Sequence, residues 1–220
     1  MTQMNAPGEN EAIRTSRTHG RMLQGKSAVV FGAGGSIGAA VAKEFAEEGA
    51  RVFLAGRTKA SLEPVAKQIT AAGGEAQTIA VDALDDVGVN RCFDDVARQA
   101  GKIDIAIDLT GPLASEYGNG KVAVDLPVDE FMVSLTTIVR SHFITARAAA
   151  RHMIKQKSGV IIFVTGSPAR PHVPGATAIG AAFAVSWTVA GTFRKLASAT
   201  CPIACSLVMF SLRATKPIVS

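Results

Sequence analysis

At 220 residues, 48% hydrophobic and 19% charged, the chain has the composition of one large globular domain and not of a disordered segment. Its apolar runs are short and broken by Gly, Asp or Lys, so none nears the ~20 residues that a membrane span requires. The net charge of +5 is dispersed, without the basic stripe and interleaved aromatics of a nucleic-acid surface, and suits an anionic cofactor.

Residues 1–24 are polar, lack an apolar segment and carry Glu9 and Glu11. They read as a flexible tail ahead of a domain at 25–220, not as a signal or transit peptide. SAVVF, ending at Phe31, predicts a first strand, and Ile37, Val41 and Phe45 at four-residue steps predict the buried stripe of a first helix. RVFLA predicts a second strand ended by Gly56. Leu62, Val65, Ala66 and Ile69 form the inward face of a helix stopped by Gly73 and Gly74. AQTIAVD is a third strand, and Val89, Cys92, Phe93 and Val96 mark the next helix. IDIAIDL is nearly all apolar, as a strand covered on both faces should be. Phe131, Leu135, Ile138 and Phe143 lie along a long helical segment running to about Met153. GVIIFVTG is a fifth strand, the Ala-rich stretch from about Gly175 to Ala199 another helix, and IACSLVMF a sixth strand. The alternation predicts an α/β fold: a Rossmann-type, doubly wound parallel sheet in one domain, with helices on both faces.

Cys92, Cys201 and Cys205 are odd in number and wrongly spaced for a redox pair or a zinc site. They point to buried thiols in a reducing cytoplasm, and no cluster of ligand residues suggests a metal.

FGAGGSIG, residues 31–38, lies between the first strand and the first helix, where a phosphate-binding turn belongs. Gly32 permits the tight turn, Gly34 and Gly35 keep side chains away from a pyrophosphate, and Gly38 allows close helix–strand packing. The exposed amides at the helix start, through Ser36 and Ile37, receive the phosphate charge. A site for NAD usually has an acid at the end of the second strand. Here that strand ends Leu54-Ala55-Gly56-Arg57-Thr58, and Arg57 is positioned to pair with a 2′-phosphate, so NADP is expected over NAD.

These residues resemble the short-chain dehydrogenase/reductase family. FGAGGSIG is similar to that family's T-G-x-x-x-G-I-G loop, with Phe31 for Thr and Ser36 for the middle Gly. Also similar are G-R-T-x-x-x-L around Arg57, G-G-x-A followed by V-D at Val81 and Asp82, and I-D-I at residues 103–105. The likeness runs from about Lys26 to Leu196. It implies a nicotinamide-dependent oxidoreductase acting on a carbonyl or alcohol, with Asp82 and Ala83 near the adenine and Gly111 beside the cofactor. It also implies a homodimer or homotetramer formed through helices at about 128–153 and 175–199.

The family's Asn, Ser, Tyr and Lys do not align with like residues. The Asn falls on Ile138 or a neighbour, the Ser on Gly166, and the Tyr and Lys on or near Ala176 and Gly180. Tyr117-Gly-Asn-Gly-Lys121 fits Tyr-x-x-x-Lys literally, yet it lies in a loop after the fourth strand, where residues four apart do not share a face. It reads as a coincidence of spacing. Ser167, at the carboxyl end of the fifth strand, either donates to a substrate oxygen or is a turn residue before Pro168, and Thr165 has the same reach. His172 in ARPHVPG is either an acid–base group or a surface histidine. Phe183 and Trp187 read as core or subunit interface. After Leu196 the resemblance fades, with one strand and no substrate-covering segment, so the C-terminal part is expected to be incomplete. Three functions stay open: an active reductase using Ser167 or Thr165 with water, an inactive NADP-binding or redox-sensing protein, and a degenerate family member with little function.

Overall fold

The computed structural model describes residues 21–166 and 174–194, and the backbone of 203–210. Six strands form one parallel sheet: β1 (Ser27–Phe31), β2 (Arg51–Gly56), β3 (Glu75–Ala80), β4 (Ile105–Asp108), β5 (Gly159–Gly166) and β6 (Ile203–Phe210), in the order β3-β2-β1-β4-β5-β6. The helices are α1 (Ser36–Glu47), α2 (Lys59–Ala71), α3 (Asp86–Ala100), α4 (Val128–Ser134), α5 (Arg140–Gln156) and α6 (Thr177–Arg194). This is the Rossmann-type doubly wound fold. The sixth strand expected from IACSLVMF is present and pairs with β5 along its full length.

The period-two alternation of each strand divides its side chains between two cores. Val29 and Phe31 of β1 face a core with Phe93, Ile144, Met153 and Phe193, beneath α3, α5 and α6. Ala28 and Val30 face the other, with Ala42, Leu62, Val65 and Ile69 of α1 and α2. Strands buried on both faces read as near-continuous apolar runs, which is why IDIAIDL carries no alternation.

One expectation needs correction. The buried stripe of α1 is Gly38, Ala42 and Ala46, one residue on from Ile37, Val41 and Phe45. Close seating of a helix on a strand favours its smallest side chains, and the larger ones flank the contact; Ile37 is 53% exposed. The long helical segment expected up to about Met153 is present and runs from Val128 to Gln156. A π-helical turn at Leu135–Val139 joins α4 to α5 and swings the face of the segment between them.

The order of strands reverses between β1 and β4. Chain and sheet proceed from β1 outward through β2 and β3, then return to β4 on the far side of β1. In open α/β sheets the crevice at the carboxyl ends of such strands receives ligands.

Candidate cofactor and substrate cleft

At that crevice the end of β1 is pressed against the end of β4. Gly32 has φ +74°, and a β-carbon on it would lie 2.9 Å from the main-chain carbon and oxygen of Leu109. A β-carbon at Gly38 would overlap the Gly32 carbonyl oxygen. The Gly35 amide donates to that oxygen at 3.0 Å, closing the turn. The first helical bond of α1 runs from the Ala39 amide to the Gly35 carbonyl, leaving the amides of Ser36, Ile37 and Gly38 outside the helical ladder. No side chain caps this end and no acid occupies its first turn. An uncapped N-terminus at the head of a glycine turn fits a diphosphate group. Gly34 has another task. A side chain there would meet the Ser61 hydroxyl oxygen on α2 at 2.6 Å, and Gly34 does not line the cleft.

One cavity of about 340 Å³ runs from this turn past β2 and β3, and brings together Gly32, Gly35, Arg57, Asp82, Ala83 and Gly111. Arg57 directly follows β2, is exposed, and pairs with no carboxylate among the described residues. Asp82 Oδ1 accepts from the Leu84 amide at 2.9 Å, so this carboxylate braces its own turn. Ala83 is 4% exposed and forms wall. At Gly111 a β-carbon would meet nothing, so internal packing does not demand a glycine there.

A second cavity, about 570 Å³, shares Leu109, Thr110, Gly111 and Pro112 with the first and continues from it over β4 and β5. Its walls are mostly apolar: Ile37, Ile138, Val164, Ala176, Ile179 and Phe183. Polar groups enter at Tyr117, Asn119, His142 and Thr165. The Thr165 hydroxyl is buried and has no hydrogen-bond partner among the described residues. Asp108, 3% exposed, accepts from Thr145 Oγ1 at 2.9 Å and from the Thr110 amide at 2.8 Å. His142 Nδ1 lies 3.0 Å from Ser186 Oγ and its ring tilts against Phe163. Burial pushes the imidazole below its ordinary value, and the neighbouring Asp108 carboxylate only partly opposes this.

Among sequence candidates, Ser36 and Gly38 build the turn without lining either cavity, and Ile37 lines the second. Ser167, His172 and Cys201 lie outside the described residues, as does the side chain of Cys205. Cys92 is buried, and burial pushes its thiol up to about 12. Lys121 does not serve Tyr117: its Nζ bridges both oxygens of Glu130 at 2.7 and 2.8 Å. Sequence reasoning had given His142 no role and dismissed Tyr117. A signal existed for the histidine, which stands one helical turn after Ile138 and so shares its face.

A parallel sheet with a glycine turn and a bare helix end at its reversal point defines the class: an α/β protein of the nucleotide-binding, Rossmann type. A family model described as short chain dehydrogenase matches residues 26–206, and the chain belongs to that family. It is 32% identical over 150 residues to the uncharacterized oxidoreductase UxuB of Bacillus subtilis, covering 64% of this chain and 54% of that protein. It is 31% identical over 159 residues to a short chain dehydrogenase of Pseudocercospora fijiensis, covering 70% and 48%. The chain thus spans about half the length of these relatives. Among solved structures, a metagenomic short-chain oxidoreductase in complex with NADP superposes with a TM-score of 0.75, at 27% identity, over 85% of this chain and 82% of that one. An NAD+-bound xylitol dehydrogenase gives 0.79 at 28%, over 86% and 71%. No described helix is long and apolar enough to cross a membrane.

Proposed function

We propose that this chain is an NADP-dependent oxidoreductase acting on an uncharged, apolar carbonyl or the corresponding alcohol. The observation that carries the reading is the bare start of α1, opening into a cavity whose far end holds Arg57 and no carboxylate from β2. The unbonded amides at the start of α1, beside the cavity-lining Gly32 and Gly35, would hold the diphosphate, and the Arg57 guanidinium the 2′-phosphate. When bound, the cofactor supplies or accepts a hydride. The apolar walls of the second cavity exclude water from the transfer, and Thr165 or Ser167 binds the substrate oxygen.

Calorimetry with NADPH and NADH tests the cofactor choice. Charge-assisted hydrogen bonds contribute about 1.5–3 kcal/mol, so Arg57→Ala should weaken NADPH about 10- to 100-fold and leave NADH unchanged. Tighter NADH binding by the wild type would remove Arg57 from this role. Loss of ketone reduction in Ser167→Ala, with NADPH binding kept, would place the oxygen-binding group at 167. We further propose a cytoplasmic homodimer or homotetramer built on α4–α5 and α6, where Phe143, Val185 and Trp187 are 45%, 41% and 40% exposed.

A further inference from the structure

We propose that Tyr117, in the loop between β4 and α4, is the proton-transfer residue of this cleft, donating to a carbonyl oxygen seated against the Thr165 hydroxyl. The proposal rests on the oxidoreductase reading above. Tyr117 and Thr165 line the same cavity, next to the stretch it shares with the cofactor end.

The loop is held from several sides. The Gly120 amide donates to the Gly175 carbonyl at 2.8 Å, and the two segments approach so closely that a β-carbon at Gly175 would lie 2.6 Å from Gly120 Cα. The Lys121–Glu130 bridge ties the same loop to α4, and Gly118, at φ +64°, packs beneath it against Leu126. A phenol immediately before Gly118 is therefore placed by the fold.

The other titratable groups of the cavity, Asp108 and His142, are engaged. Asp108 accepts from Thr145 and Thr110, and His142 is paired with Ser186. Among the described residues no protein group bonds the Tyr117 hydroxyl. Burial pushes its pKa up, so the phenol keeps its proton at neutral pH, and its partial exposure lets water restore that proton. Ala176 lines the cavity with only a methyl group, leaving room for a phenol brought in from the β4 side.

The step balances. The carbonyl carbon accepts a hydride with its electron pair, so the carbonyl is reduced by two electrons and the dinucleotide oxidised by two. As charge grows on the carbonyl oxygen, the Tyr117 O–H bond breaks and its proton moves to that oxygen. The phenolate then takes a proton from water.

Because Tyr117 is the only tyrosine in the chain, tyrosinate ultraviolet absorbance reports this group alone. In the NADP-saturated full chain, adding cyclohexanecarboxamide, whose carbonyl accepts a hydrogen bond but no hydride, should move the tyrosinate titration to higher pH. In Tyr117→Phe, NADPH affinity by calorimetry should be unchanged. Its kcat for cyclohexanone should fall about 10²- to 10⁴-fold, the usual contribution of a positioned proton donor, with KM little altered. A tyrosinate titration unmoved by millimolar amide, or a Tyr117→Phe enzyme at the wild-type rate, overturns the assignment while leaving the oxidoreductase reading intact. A wild type that binds neither NADPH nor NADH overturns both.

Discussion

A β-carbon at Gly32 has no place to go, since Leu109 stands 2.9 Å away and the backbone is left-handed at φ +74°. That conformation alone costs an alanine about 1–2 kcal/mol. With the clash added, Gly32→Ala should lower Tm by about 4 °C or more, on the usual scaling for a domain of this size, and abolish NADPH binding in calorimetry. Wild-type affinity in that variant would mean that the turn is not the phosphate cradle. Of the four glycines in the turn, the motif spacing made the tight bend at Gly32 and the close packing at Gly38 legible. Gly34 was assigned to the ligand, but its constraint comes from Ser61, on a helix that the motif does not mention. The pairing of His142 was unreadable for a similar reason: its partner Ser186 is 44 residues away, and no local pattern encodes that meeting.

At the scale of elements, His142 pins α5 to α6 across the wall of the cleft. Burial lowers its pKa below the ordinary 6.5, so the folded chain holds it neutral while the unfolded chain takes up a proton as pH falls through that value. The contribution is therefore complete above pH 6.5 and lost on acidification below it. Thermal melts should show Tm falling between pH 6.5 and 5 in the wild type, and this component should vanish in His142→Gln, which is also less stable at pH 7.5 by about 1–3 kcal/mol through the orphaned Ser186. Equal pH slopes in the two proteins would show that His142 is not held neutral. The same scale explains the shifted stripe of α1. Periodicity announces a helix and an apolar side, but the contacting row follows from how closely that helix sits on β1 and β2.

For the molecule as a whole, one buried charge fastens the foot of the sheet opposite the cleft. Asp104, just before β4, accepts from the Ser27 amide of β1 at 3.0 Å and pairs with Lys26 at 3.3 Å and Lys102 at 3.1 Å. Burial pushes the carboxyl up, but the Ser27 amide and the two ammonium groups together outweigh it and hold it below the ordinary 3.8. Its stabilisation is present above pH 3.8 and lost as pH falls through the depressed value. Asp104→Asn should cost about 1–3 kcal/mol at pH 7 by denaturant titration, and the deficit should shrink on acidification below pH 4. A deficit independent of pH would assign the loss to packing instead of charge. What residue order alone determined was the succession of strands and helices, the doubly wound sheet, the glycine turn and the absence of an acid after β2, because each is written in spacings of a few residues. Tertiary structure decided which carboxylates are occupied, that the Thr165 hydroxyl of β5 has no partner among the described residues, and that a loop tyrosine with no helical partner lines the cleft. Those facts depend on segments far apart in the chain, and only the closing of the sheet brings them within reach of one another.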